Sequence, residues 1–150
     1  MDMKGRVAIP NSFRRVLPPD SNEELYLNKG RDNTIEVHPQ KEWQIFENNT
    51  LLRLNRFDPE SLNLLRQIQG NVRTVKLDSQ GRILIPPDFK QYANIKQEVI
   101  IIGVGNFFEI WNPEKYDAFI KQNSEQYFKE LEKLHQLLEL GKNINPPETK

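Results

Sequence analysis

The sequence predicts a mixed α+β protein in which one small β-rich module occurs twice, with flanking helices and a further helix at the C-terminal end. Three observations carry that prediction: an internal repeat at a constant offset, period-two alternation of apolar residues inside each copy, and helical spacing of apolar residues outside it.

The repeat comes first because it organises the rest. Residues 2–14 read DMKGRVAIPNSFR and residues 78–90 read DSQGRILIPPDFK, aligned without gaps at an offset of 76. Asp2/Asp78, Gly5/Gly81, Arg6/Arg82, Ile9/Ile85, Pro10/Pro86 and Phe13/Phe89 are identical. The similarity continues from LYLNKGRDNTIEVHPQKEW at 25–43 into VIIIGVGNFFEIWNPEKY at 99–116, where Glu36 and Val37 match Glu109 and Ile110 at an offset of 73. Small changes in loop length account for the drift.

Each copy then reads in the same order. A strand places Val7 and Ile9, or Ile83 and Ile85, on one face, and Pro10 or Pro86 ends it. A short helical turn follows, with Phe13, Val16 and Leu17, or Phe89, Tyr92 and Ala93, on one side. Two strands come next, 25–28 with 34–37 and 99–104 with 107–111, and Gly30, Gly103 and Gly105 suit the turns between them. A helix closes each unit from Pro39 or Pro113, with Asn112 placed to cap the second.

Two elements lie outside the duplicated pattern. Asp58 before Pro59 is a helix start, and Leu62, Leu65 and Ile68 give that helix an apolar face ending near Gly70. Past the second copy, Tyr127, Leu131, Leu134 and Leu138 are spaced four, three and four apart before Gly141; this seam either packs on its own domain or makes a subunit contact. The expected organisation is a first repeat over 1–50, a linking helical segment over 51–70, a second repeat over 71–120, a C-terminal helix over 121–141 and a disordered tail over 142–150.

Composition narrows the function classes. The chain has 150 residues and no cysteine, which removes disulfide frameworks and thiolate metal sites and suits a reducing compartment. The longest apolar run, Val99 to Ile102, is far short of the roughly 20 residues of a membrane helix, so a soluble cytoplasmic protein without membrane contact is expected. His38 and His135 are isolated, and no nucleophile elbow, zinc-type spacing or phosphate loop is present, so no catalysis, metal, cofactor or small-molecule substrate is expected. GVGNFFE at 103–109 reads as a hairpin turn, and Trp43 and Trp111 read as core or interface anchors.

The 21 basic and 21 acidic residues cancel, but they are unevenly placed. Residues 1–15 hold Lys4, Arg6, Arg14 and Arg15 against Asp2 alone, and residues 51–76 hold Arg53, Arg56, Arg66, Arg73 and Lys76 against Asp58 and Glu60. In the shared string Asp-x-x-Gly-Arg, Asp2 and Asp78 can accept amide hydrogen bonds across a turn, and Gly5 and Gly81 supply its positive-φ position. Arg6 or Arg82 then stands where it can fork onto the aspartate or project towards an anion.

Taken with their Ile-Pro and aromatic flanks, DMKGRVAIPNSFR and LDSQGRILIPPDFKQYA resemble the paired signature of the MraZ family, whose repeats are swapped-hairpin modules of the AbrB type. The resemblance runs from Asp2 to the final helix and includes EIWNPEKYDAF at 109–119. It implies a cytoplasmic, nucleoid-associated transcriptional regulator, a repressor by analogy. It also implies assembly into homo-oligomeric rings and binding to double-stranded DNA at closely spaced promoter repeats, upstream of a cell-division and cell-wall gene cluster. Carried over residue by residue, the family's motif arginine falls on Arg6 and Arg82, its aspartate on Asp2 and Asp78, and its loop lysine on Lys4, where the second copy has Gln80. The first turn is therefore expected to be the better DNA contact and the second the more structural. VRTVKL at 72–77 reads as a strand leading into the second turn, whereas only Met1 precedes Asp2, so the first repeat is expected to lack its N-terminal strand. With Arg14 and Arg15 from the basic stretch, the candidate DNA contacts are Lys4, Arg6, Arg14, Arg15 and Arg82, with Asp2, Gly5, Asp78 and Gly81 structural. The alternative reading is an oligomeric protein-interaction scaffold or antitoxin-like module without direct DNA readout.

Overall fold

The structure is a computed structural model that describes residues 1–14 and 24–144; Arg15, Val16 and Leu17 lie outside the described residues. The chain divides into two compact units, Met1–Pro113 and Glu114–Lys150.

The first unit holds two sheets. Strands β1 (Arg6–Ala8) and β5 (Arg82–Leu84) pair antiparallel in a ribbon, with Val7 opposite Ile83. The second sheet contains β2 (Glu24–Lys29), β3 (Ile35–Pro39), β4 (Arg73–Lys76), β6 (Ile100–Val104) and β7 (Phe107–Trp111), in the spatial order β4-β2-β3-β7-β6. Both are shared between the repeats. The leading strand of the second repeat, β4, lies against β2 of the first, and β3 pairs with β7 at the centre. Glu36 faces Glu109 there, and these residues are also repeat equivalents, so a local twofold relates the halves. β6 has β7 on one side and, among the described residues, no strand on the other. This interleaving is the swapped-hairpin arrangement expected of the α+β class.

One core explains the interleaving. Alternation turns Leu25 and Leu27 of β2, Ile35 and Val37 of β3, and Phe108 and Ile110 of β7 inward, where they meet Val7, Ile9, Ile83 and Ile85 of the ribbon. A two-stranded ribbon of three-residue strands is marginal alone; burying four aliphatic side chains, each contributing about 1.5–3 kcal/mol, holds it in place. Helices α1 (Asn11–Arg14) and α4 (Pro87–Tyr92) follow the ribbon strands through equivalent turns. Pro10 O accepts from the amides of Phe13 and Arg14, as Pro86 O does from Phe89 and Lys90. Phe89 is fully buried, and the Phe13 ring packs on Phe108, centroids 5.1 Å apart and tilted by 30°.

The turn residues differ in part from expectation. Gly105 has φ +63 at the β6–β7 turn, but Gly103 lies within β6. Its use is close approach: a Cβ there would sit 3.0 Å from the Phe13 ring. In the β2–β3 connection the left-handed positions fall to Asp32 and Asn33 rather than Gly30, because short polar side chains tolerate that region.

Helix α2 (Gln40–Asn49) begins one residue later than expected, since Pro39 completes β3 and occupies the cap. Its Trp43 is buried over the outer face of the sheet, stacked on Tyr26 at 6.0 Å. Asp58 caps α3 (Pro59–Gly70) by accepting from the Ser61 amide at 3.0 Å, with Pro59 in the first turn. Asn112 is buried, and its Nδ2 donates to Asn94 O at 2.6 Å.

The second unit contains α5 (Pro113–Gln122), which begins at the boundary residue, and α6 (Ser124–Ile144). Gly141 does not stop α6, whose helix enters the segment expected to be a disordered tail; one glycine costs a helix only about 1 kcal/mol. Residues 145–150 of that tail lie outside the described residues. Along α6, Tyr127, Leu134 and Leu138 are exposed and Leu131 is half-buried. Among the described residues no helix is long and apolar enough to cross a membrane, and no group of three or more His, Cys, Asp or Glu could hold a metal ion.

Candidate nucleic-acid interface

The two Asp-x-x-Gly-Arg turns close in the same way. Asp2 Oδ1 accepts from the Lys4 amide at 3.0 Å and the Arg6 amide at 2.9 Å, while Oδ2 accepts from Arg6 Nε at 2.7 Å. In the second turn Asp78 Oδ1 accepts from the Gln80 and Arg82 amides, both at 2.9 Å, and Oδ2 accepts from Arg82 Nε at 2.9 Å. Gly5 (φ +82) and Gly81 (φ +74) adopt the left-handed conformation that returns the chain, and each amide donates to the carbonyl of its turn's aspartate. Both aspartates are held below the usual carboxylate range. The largest cause in each is the backbone amide of Arg6 or Arg82, against which desolvation acts, and the guanidinium bond adds to the lowering.

The arginines are therefore braced and partly exposed. The side chain of Arg6 is 31% exposed and that of Arg82 is 24% exposed. Arg82 is the more constrained, because its Nη1 also reaches Asp2 Oδ2 at 3.5 Å. Arg6 has no partner besides Asp2 among the described residues. Lys4 stands exposed beside Met3 at the tip of the first turn, as Gln80 does beside Ser79 in the second. The ribbon brings the turns together, for Ile9 donates to Gly81 O and Ile85 donates to Gly5 O.

The family model for MraZ protein, described as antitoxin-like, matches residues 1–67 and again 69–138, one of these turns in each match. The chain belongs to the MraZ family. Relatives named transcriptional regulator MraZ include that of Thioalkalivibrio sulfidiphilus, 36% identical over 130 residues and covering 87% of this chain and 83% of its own length. That of Syntrophobacter fumaroxidans is 35% identical over 132 residues, covering 88% and 87%. That of Mycoplasmoides gallisepticum is 33% identical over 127 residues, covering 85% and 86%.

In this MraZ chain each turn also receives a cation from the opposite repeat. The Arg14 guanidinium lies on the backbone of Gly81, so that a Cβ there would be 2.8 Å from Arg14 Cζ, and Arg14 Nη2 donates to Asn11 Oδ1. Among the described residues its buried Nε has no hydrogen-bond partner. Lys90 lies in the equivalent place over the first turn, its Nζ 3.5 Å from where a Cβ on Gly5 would be. Lys4, Arg6 and Lys90 thus group around one turn, and Arg14 and Arg82 around the other; Arg15 lies outside the described residues. Lys90 was not among the residues singled out from the sequence, although the offset that equates Gly5 with Gly81 also equates Arg14 with Lys90.

Of the second basic stretch, Arg53, Arg56 and Arg66 are exposed, and Arg73 faces Asp88 at 3.6 Å.

Proposed function

We propose that this chain is a sequence-specific DNA-binding transcriptional regulator that represses a bacterial cell-division and cell-wall gene cluster by binding closely spaced short repeats as an oligomeric ring. The observation that carries this reading is the pairing of each Asp-x-x-Gly-Arg turn with a cation from the other repeat, Lys90 over Gly5 and Arg14 over Gly81. It draws five of the 21 basic residues of a chain with no net charge into two neighbouring clusters. The names of its relatives support the regulatory part.

In this reading Lys4 and Lys90 contact phosphate as mobile point charges, while Arg6 and Arg82, oriented by Asp2 and Asp78, present their outer guanidinium edge to phosphate or to guanine. The aspartates limit side-chain motion, so less entropy is lost on contact. They also cancel much of each arginine's charge, which makes a single subunit a weak binder. A ring multiplies the contacts, because each further turn engages at high effective concentration on a repetitive operator. No catalysis enters this function, which is exercised in the cytoplasm at the nucleoid.

Fluorescence anisotropy on DNA carrying one or several copies of the operator repeat, at two salt concentrations, tests the proposal. Affinity should rise steeply with copy number and fall with salt; equal affinity for one copy and several rejects it.

One observation favours a second reading as a protein-interaction scaffold or antitoxin-like module: both motif arginines bond to aspartates of their own chain. Lys4→Ala with Arg6→Ala separates the two. Loss of DNA retention with the oligomer intact supports the regulator, and loss of the oligomer supports the scaffold.

A further inference from the structure

The outer face of the central sheet carries a cavity of about 240 Å³, away from the paired turns. Its walls are aromatic: Trp43 and Phe46 from α2, Phe107 from β7, and the imidazole of His38 from β3. His38 is stacked on Phe107 at 4.7 Å and meets Trp43 edge-on at 5.1 Å. Two carboxylates, Glu36 and Glu42, open into the same space, and among the described residues no lysine or arginine lines it.

The alternation that buries Ile35 and Val37 turns Glu36 and His38 outward, and α2 then covers them with Trp43. Each carboxylate spends one oxygen locally. Glu36 Oε1 pairs with His38 Nε2 at 2.9 Å, and Glu42 Oε2 accepts from Asn106 Nδ2 at 3.1 Å. The second oxygen of each retains acceptor capacity. Ring faces with a negative quadrupole and two carboxylates together favour a positive charge. The volume lies below the roughly 300–1,000 Å³ of pockets for drug-sized ligands, so only a small group fits.

We propose that this cavity binds an organic cation, a guanidinium or alkylammonium group. The charged end sits between Glu36 and Glu42, and its flat or methylene part rests on Phe46 and Phe107. The group could be supplied by a free small cation or by an arginine or lysine side chain of a partner protein. This site is independent of the DNA reading.

Isothermal titration of the full chain, without DNA, tests it with the Nα-acetylated amides of L-arginine (arginine amide) and of L-citrulline (citrulline amide, which is then neutral), with tetramethylammonium, and with acetyl-Gly-Arg-Gly-amide. Saturable binding of arginine amide, at least tenfold tighter than citrulline amide and weakened about tenfold or more by Glu42→Gln, is the expected result. Phe107→Leu should weaken tetramethylammonium as well. Tighter binding of the peptide than of arginine amide identifies a partner's side chain as the source, and equal binding identifies a free cation; both support the site. Absence of saturable binding by every cation, or equal binding of citrulline amide and arginine amide to the unaltered chain, overturns it.

Discussion

Arg14 and Gly81, one from each repeat, lie in direct contact, with the guanidinium of the first spread on the backbone of the second. The conformation there demands glycine, for φ is +74, and a Cβ would lie 2.8 Å from Arg14 Cζ, so the end of that flexible side chain would have to shift. At Gly5 only the conformational demand applies, since a Cβ there would meet Lys90 Nζ at an ordinary 3.5 Å.

Both glycine-to-alanine substitutions should therefore destabilise the protein, by about 1–2 kcal/mol for the left-handed conformation alone. Gly81→Ala should cost more than Gly5→Ala, because Arg14 must also be displaced. Urea unfolding midpoints of the two variants check this; a smaller loss for Gly81→Ala than for Gly5→Ala would refute the ranking.

Acid should weaken the fold through the turns and the α3 cap. Asp2, Asp58 and Asp78 are held below their ordinary range by backbone amides first, so the folded state binds fewer protons than the unfolded chain, whose aspartates titrate at about 3.9. The stability they contribute is present above that value and is lost as pH falls through the lower folded values. The urea midpoint should drop on acidification below about pH 4, and Asp78→Asn should show a shallower drop than the unaltered chain.

If Lys4 and Lys90 each contact one phosphate, replacing either with alanine should weaken binding uniformly across operator sequences. The slope of log K against log salt should become shallower by about 0.9 per lysine. Mobility shifts or anisotropy at several salt concentrations measure this, with Lys115→Ala, on α5, for comparison. An unchanged slope in both variants would remove these side chains from the interface.

The stripe on α6 bears on assembly. Tyr127, Leu134 and Leu138 are 58%, 50% and 54% exposed, and their spacing suits a helix seam. Introducing glutamate at Leu134 and Leu138 together should lower the molar mass found by light scattering while leaving the helical circular dichroism unchanged. A loss of helix instead would show that the stripe serves the folding of α6 itself.

Most elements were legible because their signals are local. Period two marked β3 and β7, Asp58-Pro59 marked the start of α3, and Asp-x-x-Gly-Arg marked both tight turns. The misreadings were also local and had competing causes. Gly103 served the Phe13 ring rather than a turn, Asp32 and Asn33 took the left-handed positions expected of a glycine, and α6 continued through Gly141. Lys90 is legible in the sequence only through the offset that equates it with Arg14, and its place over the first turn comes from the fold.

By itself the chain's order of residues determined a doubled α+β module, its two aspartate-braced turns and its resemblance to one family, since each rests on chemistry spanning a dozen neighbours or on comparison of one half with the other. Only the tertiary structure decided that β4 lies on β2, that Glu36 faces Glu109, and that each glycine turn is covered by the other repeat's cation. Those relationships join residues far apart in sequence. They arise because neither repeat can bury its apolar strand faces alone, so the two halves close over a single core and carry their surface charges with them.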